Sequence, residues 1–242
     1  MINSEPLYLK DAYLNEEKGI INSLSSEFGI ELDKSIFYPR GGGQPGDQGV
    51  LRLGHKNIEI IEARKGQNGE IWFVPSNMDD LAGLKKGEEV VQELNWQRRF
   101  KYMRTHTALH LLSVCLPFPV TGGQITFEKG RLDFDMPESP DKEELEKTLN
   151  HIIGTDYTVS YSSISQAELS KKPELVKTMS VKPPTNAAFV RLVRIGDDTQ
   201  TVDLQPCGGT HVKTTSEIGH VSISKIEKKG RINRRVSVIL HD

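Results

Sequence analysis

The hydrophobic periodicity of the chain changes at Asn95. Before it, short runs that alternate or are rich in β-branched residues are separated by Gly, Asn and Pro, a pattern typical of strands joined by turns. These runs are YLKDAYL, GIELDKSIFY, GVLRL, NIEIIEA and EIWFVP. Strands at such regular spacing predict a small β-barrel domain, which we place at residues 1–93.

A helical pattern follows the predicted barrel. Asn95 can cap a helix, Pro117 can end it, and the residues between them recur at spacings of three and four: Trp96, Arg99, Met103, His106 and His110. We predict a helix over residues 95–115 as the first element of a second domain, residues 94–242.

The second domain mixes helices and strands. VTGGQITF and GRLDFDM predict a strand pair, and SPDKEELEKTLNHII predicts a helix with Ser139 as its N-cap and Pro140 at its first position. AELSKKPELVK predicts a broken helix, and the other predicted strands are DYTVSYSSIS, FVRLVRI, TQTVDLQ, HVSISKIEKK and RRVSVIL. Helices packed on an antiparallel sheet make the domain α+β, which is the predicted fold class of the chain.

The barrel domain holds the densest glycine cluster, GGGQPGDQG at residues 41–49. Such a cluster can form a tight connection with positive φ angles or a phosphate-binding loop. Because the spacings of the P-loop and of the dinucleotide fingerprint are absent, the pattern favours the tight connection.

Charge and composition restrict the class of partner. A net charge of −2 argues against indiscriminate nucleic-acid binding, although basic residues cluster in WQRRFKYMR and KIEKKGRINRR, as solvated faces or as RNA-binding patches. No apolar run approaches the roughly 18 residues of a membrane span, and the first residues do not resemble a signal peptide. With two cysteines, Cys115 and Cys207, we expect a cytoplasmic protein without a membrane partner.

Two short motifs predict a metal site. HTALH places His106 and His110 on one face of the predicted helix, and CGGTH places Cys207 and His211 four residues apart in a glycine loop. Each motif alone is weak, but zinc takes nitrogen and sulfur ligands together, so the four side chains form a candidate Zn²⁺ site. Their number does not decide between a structural and a catalytic metal, and Thr107 stands where a zincin has its glutamate.

The motifs and their order resemble a known family. FYPRGGGQPGDQG, RTHTALHLL, RLDFDM, DLQPCGGTHVKTTSEIG and GRINRRV are similar to the editing region of alanyl-tRNA synthetases. In particular, the chain resembles the free-standing AlaX proteins in their longer form, over nearly its whole length. The resemblance implies that His106, His110, Cys207 and His211 bind zinc. It also implies hydrolysis of mischarged aminoacyl-tRNA, most often seryl-tRNA(Ala), with glycyl-tRNA(Ala) as a second substrate.

The remaining site predictions follow from this hypothesis. A chain without an ATP-binding signature would use no nucleotide cofactor and would act in trans. The catalytic candidates are the amides of Gly208 and Gly209, which would stabilise an oxyanion, with Thr210 and the histidine-orienting carboxylate of Asp203. The candidate substrate-binding residues are Thr105, Thr107 and Gln124, and the candidate tRNA-binding residues are Arg99, Lys101, Arg104, Arg231, Arg234 and Arg235.

Two departures from the synthetase pattern affect the contacts that would recognise serine. Leu109 replaces a threonine, and a glutamine of the synthetases falls on Gly122 or is displaced to Gln124. Two alternative functions remain open at this stage: editing of seryl-tRNA(Thr), as in threonyl-tRNA synthetase, and a non-catalytic tRNA-binding module with a structural zinc.

Overall fold

A computed structural model describes residues 4–179 and 188–241 of the chain. The chain divides into two compact units, Met1–Lys101 and Tyr102–Asp242, which are described separately. The division falls within a helix that begins at Trp96, whereas the sequence places the boundary before that helix, between residues 93 and 94.

The first unit contains a closed six-stranded barrel, as predicted. Its strands follow the spatial order β2-β3-β7-β6-β5-β8, and neighbouring strands are antiparallel. They span β2 Glu16–Ser25, β3 Gly29–Leu32, β5 Gly49–Leu53, β6 Lys56–Lys65, β7 Ile71–Pro75 and β8 Glu89–Leu94. Two short strands outside the barrel, β1 Glu5–Pro6 and β4 Lys34–Ser35, pair in parallel. Buried aliphatic and aromatic side chains, including Ile30, Leu51 and Phe73, fill the barrel.

Two strand assignments differ from the sequence prediction. The prediction of a strand in YLKDAYL is wrong, because Leu7–Leu9 form a single turn of 3-10 helix. The prediction also missed β2 and β8, which pair with each other over Glu16–Ile20 and Glu89–Glu93. Charged residues interrupt the apolar alternation of both strands, so hydrophobic periodicity alone gives only a weak signal there.

The glycine cluster forms the predicted tight connection. Gly42 and Gly43 have φ angles of 56° and 84°, which glycine adopts without steric cost. A Cβ atom on Gly46 would lie 2.2 Å from the carbonyl oxygen of Ala63, so the loop also needs a close approach of two backbones. Asp47, at the end of the loop, accepts a hydrogen bond from the backbone N–H of Tyr38.

The long helix α1 spans Trp96–Cys115, in agreement with the prediction. Asn95 caps it as expected, because its side-chain oxygen accepts a hydrogen bond of 3.1 Å from the backbone N–H of Arg98. None of the helices in the described part of the chain combines the length and apolar character that a membrane-spanning helix requires.

The second unit has two antiparallel sheets. The four-stranded sheet has the order β14-β15-β10-β9, and the three-stranded sheet has the order β11-β12-β13. Their strands span β9 Val120–Ile125, β10 Lys129–Asp135, β11 Thr158–Ser165, β12 Phe189–Gly196, β13 Thr201–Pro206, β14 Val221–Lys228 and β15 Asn233–Leu240. This confirms the α+β class and the predicted pairing of VTGGQITF with GRLDFDM.

Helix α2, Lys142–Gly154, covers the edge of the four-stranded sheet. The Asn150 side chain donates to the Val221 carbonyl oxygen at 2.7 Å and accepts from the Val221 N–H at 3.0 Å, so the helix satisfies backbone groups of the edge strand β14. The predicted cap is wrong: Asp141, and not Ser139, accepts from the Glu144 N–H, because the chain is still extended at Asp141.

The predicted broken helix in AELSKKPELVK is confirmed. Helix α3 covers only Gln166–Leu169, and a separate 3-10 turn covers Pro173–Leu175. The break precedes Pro173, which lacks the amide hydrogen that a continuing helix would need.

Candidate metal centre

Four side chains of the second unit converge on one point. His106 and His110 lie one turn apart on α1, and Cys207 and His211 lie in the loop that follows β13. One ligating atom from each of these residues lies within 4.8 Å of those from the other three. His110 and His211 are buried, whereas His106 and Cys207 are partly accessible. The structure therefore brings together the four residues that the sequence motifs predicted as metal ligands.

The distances within the cluster suit one small metal ion. Cys207 Sγ lies 3.5 Å from His106 Nε2 and 3.3 Å from His211 Nε2. Zinc–ligand bonds of roughly 2.0–2.3 Å in a tetrahedral arrangement separate neighbouring ligand atoms by about 3.3–3.8 Å. The two distances from Cys207 Sγ thus match those between ligands of one zinc ion.

Hydrogen bonds to the outer ring nitrogens fix two of the imidazoles. His110 Nδ1 lies 2.9 Å from Asp203 Oδ2 and donates to this carboxylate. The hydroxyl of Thr107 donates to the Met103 carbonyl oxygen at 2.9 Å, so its oxygen accepts from His211 Nδ1 at 3.1 Å. Both contacts favour a proton on Nδ1, the arrangement in which Nε2 can bind a metal ion. Burial would lower the pKa of His110, but the hydrogen bonds to Asp203 and Cys207 outweigh it and raise the pKa to about 9, so metal binding must displace a proton from His110.

Asp203 is held as a buried carboxylate by several donors. Besides His110, Lys177 Nζ lies 2.6 Å from Oδ1, and Gln205 Nε2 donates to Oδ2 at 2.8 Å. Burial alone would raise the pKa of Asp203, but the hydrogen bond from His110 and the charge of Lys177 outweigh it and lower the pKa to about 2. The carboxylate is thus charged at any physiological pH and can orient His110.

The cluster also favours a thiolate at Cys207. Burial opposes ionisation, but the neighbouring His106 and His211 imidazoles outweigh it and lower the pKa of the Cys207 thiol well below its usual value. The Gly209 N–H lies 3.4 Å from the sulfur and donates to it. Burial and the neighbouring His106 lower the pKa of His211 to about 3, so this imidazole is neutral, as a metal ligand must be.

The two glycines of the CGGTH loop have different surroundings. The Gly209 amide donates to the Cys207 sulfur, so it is already engaged in the structure, and its role as an oxyanion donor stays a prediction. Gly208 is exposed, and a Cβ atom built there would meet no other described atom within 4 Å. Gly208 is also not among the described glycines with a positive φ. Neither a positive φ angle nor packing within the described structure requires glycine at position 208.

The predicted substrate-binding residues do not line the cluster as a group. Thr107 is buried, and its hydroxyl is used to hold His211. Thr105 is fully buried, with its methyl group facing Gly130 of β10. Gln124 is opposite Arg131 and accepts its hydrogen bond on the exposed sheet face, whereas the adjacent Gly130 faces α1. The structure thus gives Thr105 and Thr107 packing or hydrogen-bonding roles and leaves Gln124 exposed, and substrate binding by these three residues stays a prediction.

Two further site predictions fall on buried residues of the second unit. Thr210, a catalytic candidate in the glycine loop, is fully buried. Leu109, which replaces a synthetase threonine, is buried and also faces Gly130, so this departure from the synthetase pattern lies in the packing of α1 on the sheet.

Most of the predicted tRNA-binding residues are buried. Arg99 is fully buried in the first unit and donates to Asp47 and to the carbonyl oxygens of Ala12 and Ile36. Lys101 is buried as well. Burial of both side chains does not favour contact with a phosphate, and tRNA binding by Arg99 and Lys101 stays a prediction.

Two predicted tRNA-binding arginines of the second unit are also engaged inside the protein. Arg104 donates to the carbonyl oxygens of Ile218 and His241, and the buried Arg234 donates to that of Gly230. Both guanidinium groups are thus engaged within the protein, and their contact with tRNA stays a prediction. Arg235 is partly exposed and pairs with Asp133, while Arg231 is exposed.

Three residues of the centre were missed by the sequence analysis. Gln205 has a detectable signal, because the alternation along β13 places it on the same face as Asp203. Lys177 follows a broken helix and gives no signal. Arg191, on β12, donates to two carbonyl oxygens of the glycine loop and also gives no signal beyond its position in a strand.

Comparison with known proteins gives consistent matches. Residues 190–237 match the family model described as "Threonyl and Alanyl tRNA synthetase second additional domain". The chain is 33% identical over 249 residues to the alanyl-tRNA editing protein AlaX-M of Methanosarcina acetivorans, covering 99% of this chain and 100% of that protein. It is 32% identical over 252 residues to AlaX-M of Pyrococcus horikoshii, with coverage of 99% and 100%.

A synthetase matches as well. The alanine–tRNA ligase of Saccharolobus islandicus is 32% identical over 236 residues, which cover 93% of this chain and 25% of the ligase. The similarity to the two AlaX-M proteins extends over essentially the whole of each chain.

Proposed function

The chain belongs to the AlaX family of alanyl-tRNA editing proteins, and we propose that it is a zinc-dependent deacylase that acts in trans on tRNA(Ala) charged with the wrong amino acid. The observation that carries this proposal is the convergence of His106, His110, Cys207 and His211 beside an exposed glycine loop. Seryl-tRNA(Ala) is the proposed main substrate, and glycyl-tRNA(Ala) a second one.

The donor set supports zinc as the metal. Three imidazole nitrogens and one cysteine sulfur match the ligands that zinc takes in proteins, and the outer contacts from Asp203 and Thr107 match the support that such ligands need. A zinc ion bound there would supply a Lewis acid, either for a water molecule or for the amino group of the misattached residue. Because His106 and Cys207 are partly accessible, this side of the cluster is open to a substrate.

The protein groups around the cluster supply positioning and charge stabilisation. The Gly208 amide belongs to an exposed part of the loop and can donate to an oxyanion that develops on the ester carbonyl. Asp203 holds the orientation of His110 throughout the reaction, and the Gly209 amide holds the sulfur of Cys207.

An editing reaction of this kind is needed because a synthetase cannot fully discriminate between small amino acids. The binding site of a synthetase that accepts alanine rejects glycine or serine by only about 1–3 kcal/mol, because these amino acids differ from alanine by one methyl or one hydroxyl group. A second site with different chemistry removes the error after charging. We expect the deacylase to spare alanyl-tRNA(Ala).

Contacts to the tRNA are expected at the basic hairpin between β14 and β15. Arg231 is exposed there, and Arg235 is partly exposed beside Asp133. Such cations would position the phosphates of the acceptor stem without selecting the amino acid.

The proposal is tested by hydrolysis of seryl-tRNA(Ala), glycyl-tRNA(Ala) and alanyl-tRNA(Ala) by the purified, zinc-loaded protein. We expect release of serine, little release of alanine, and loss of activity in Cys207→Ala. Cys115→Ala is the matched control, because Cys115 is the second cysteine of the chain and is not a member of the cluster.

The competing functions give different results in the same assay. A faster reaction with seryl-tRNA(Thr) would favour threonyl-type editing. Undiminished tRNA binding with no hydrolysis of any ester, together with unfolding on chelation, would favour a structural zinc in a binding module.

A further inference from the structure

Arg191 holds the glycine loop from the side of the three-stranded sheet. It lies on β12, and its Nη1 donates to the carbonyl oxygens of Cys207 and Gly209, each at 2.9 Å. Its own carbonyl oxygen accepts the N–H of Cys207 at 3.2 Å. One residue thus contacts the loop at three backbone groups on either side of Gly208.

Two carbonyl contacts fix two peptide planes. Each peptide unit is planar and trans, so the N–H of the next residue points opposite to the carbonyl oxygen. When Arg191 holds the oxygens of Cys207 and Gly209 on its own side, the N–H groups of Gly208 and Thr210 point away from its guanidinium group. The direction of the Gly208 amide is therefore set by Arg191 and not by a side chain at position 208.

The guanidinium group is itself held in place by packing. Its central carbon lies 4.0 Å from the centre of the Tyr161 ring on the neighbouring strand β11. Nε and Nη2 are buried and have no hydrogen-bond partner among the described residues, so the two loop carbonyls are the acceptors that orient the group there. A planar cation stacked on a ring loses little freedom when it forms these bonds.

We propose that Arg191 is a positioning residue, which fixes the peptide planes of the loop around Gly208 and so aims the Gly208 amide at the bound ester. This proposal rests on the proposed function for the identity of the ester. Its structural half, the control of the loop by Arg191, does not depend on any activity.

The test compares Arg191→Met and Arg191→Lys with the wild type in the full-length, zinc-loaded protein. Arg194→Met is the matched control, since Arg194 lies on the same strand and also donates to carbonyl oxygens, those of Asp197 and Gln200 in an exposed turn. The measurements are kcat and KM on seryl-tRNA(Ala), zinc content, and hydrogen exchange of the peptide that contains residues 207–211.

The expected result separates kcat from KM. A loss of about 1 Å in the placement of a catalytic group lowers the rate by roughly 100-fold. We expect Arg191→Met to lower kcat by about 10- to 100-fold, with KM within about threefold and one zinc retained. Arg191→Lys, which keeps the charge without the planar stack, should be intermediate, and Arg194→Met should match the wild type. Exchange in the loop should rise in the same order.

Other results would overturn the proposal. An unchanged kcat in Arg191→Met, or a raised KM with kcat intact, would show that Arg191 does not position the loop. If Arg191→Met fails to fold, Arg191→Lys decides by the same criteria. If the wild type hydrolyses no aminoacyl-tRNA, the proposed function fails, and hydrogen exchange alone still decides whether Arg191 controls the loop.

Discussion

Replacement of Asp203 by asparagine is the sharpest test of how the candidate metal centre is supported. Asparagine has nearly the same shape, but it carries an NH2 group of its own and no charge. Asp203 faces three donors, from His110, Lys177 and Gln205. In Asp203→Asn, the new NH2 group must face at least one of these donors, and the charge that holds the His110 tautomer is lost.

The structure sets the size of the expected effect. The pKa of Asp203 is lowered from 3.8 to about 2, and each pKa unit corresponds to about 1.4 kcal/mol, so the metal-free protein should lose about 2 kcal/mol of unfolding free energy. Because the folded-state pKa is depressed, this contribution is complete above the unfolded-state pKa and is lost as the pH falls through about 2. Loss of a carboxylate behind a histidine ligand typically lowers metal affinity by about 10- to 100-fold.

The assay measures both quantities in one pair of variants. Zinc affinity is measured by competition with a chromophoric chelator at neutral pH, and stability by urea unfolding of the metal-free protein. Asp133→Asn is the control: Asp133 also accepts from two arginines, Arg131 and Arg235, but it is not a member of the cluster. Zinc affinity in Asp203→Asn within twofold of the wild type would refute the assigned role of Asp203.

Three other substitutions test separate parts of the structure. Gly208→Ala should fold and bind zinc normally, because a Cβ atom there meets open space. It should lower deacylation of seryl-tRNA(Ala) by about 10-fold or more, and unchanged kinetics would contradict the proposed contact between the ester and the Gly208 amide. Thr107→Val removes the acceptor of His211 Nδ1 and should weaken zinc binding by about 10-fold in chelator competition, whereas Thr107→Ser should restore it. Arg99→Met leaves Asp47 as an uncompensated buried charge and should destabilise the protein by about 3–5 kcal/mol in urea unfolding; reduced tRNA binding at unchanged stability would instead favour a phosphate contact.

The sequence predicted those parts of the site that depend on local spacing. Two histidines four residues apart on a helix must share a face, and the CGGTH loop brings Cys207 and His211 together over a short distance. Asp203 was accessible to the same reasoning because it lies four residues before Cys207. Lys177 and Arg191 were not, because their contacts with the centre depend on how separate strands and turns meet in three dimensions.

The fold prediction also succeeded where the local pattern was clear and failed where pairing between strands matters. Barrel strands with clear alternation, such as β5 and β7, were found from the pattern, whereas β2 and β8 were missed because charged residues interrupt theirs. Those charges are tolerated because the two strands pair with each other, and opposite charges such as Lys18 and Glu89 meet on adjacent strands. Cross-strand pairing stabilises such residues, and it cannot be read from one strand alone.

Several arginines of the chain are used inside the protein and not on its surface. Four guanidinium groups donate to backbone carbonyl oxygens, those of Arg99, Arg104, Arg191 and Arg234. They satisfy carbonyl groups that have no partner within a helix or sheet. A guanidinium group with five N–H donors suits this task better than a neutral side chain, so several of the clustered cations are used inside the protein. Arg231, in the turn after β14, is the exposed member of the predicted set, and the neighbouring Lys225, Lys228 and Lys229 are exposed as well.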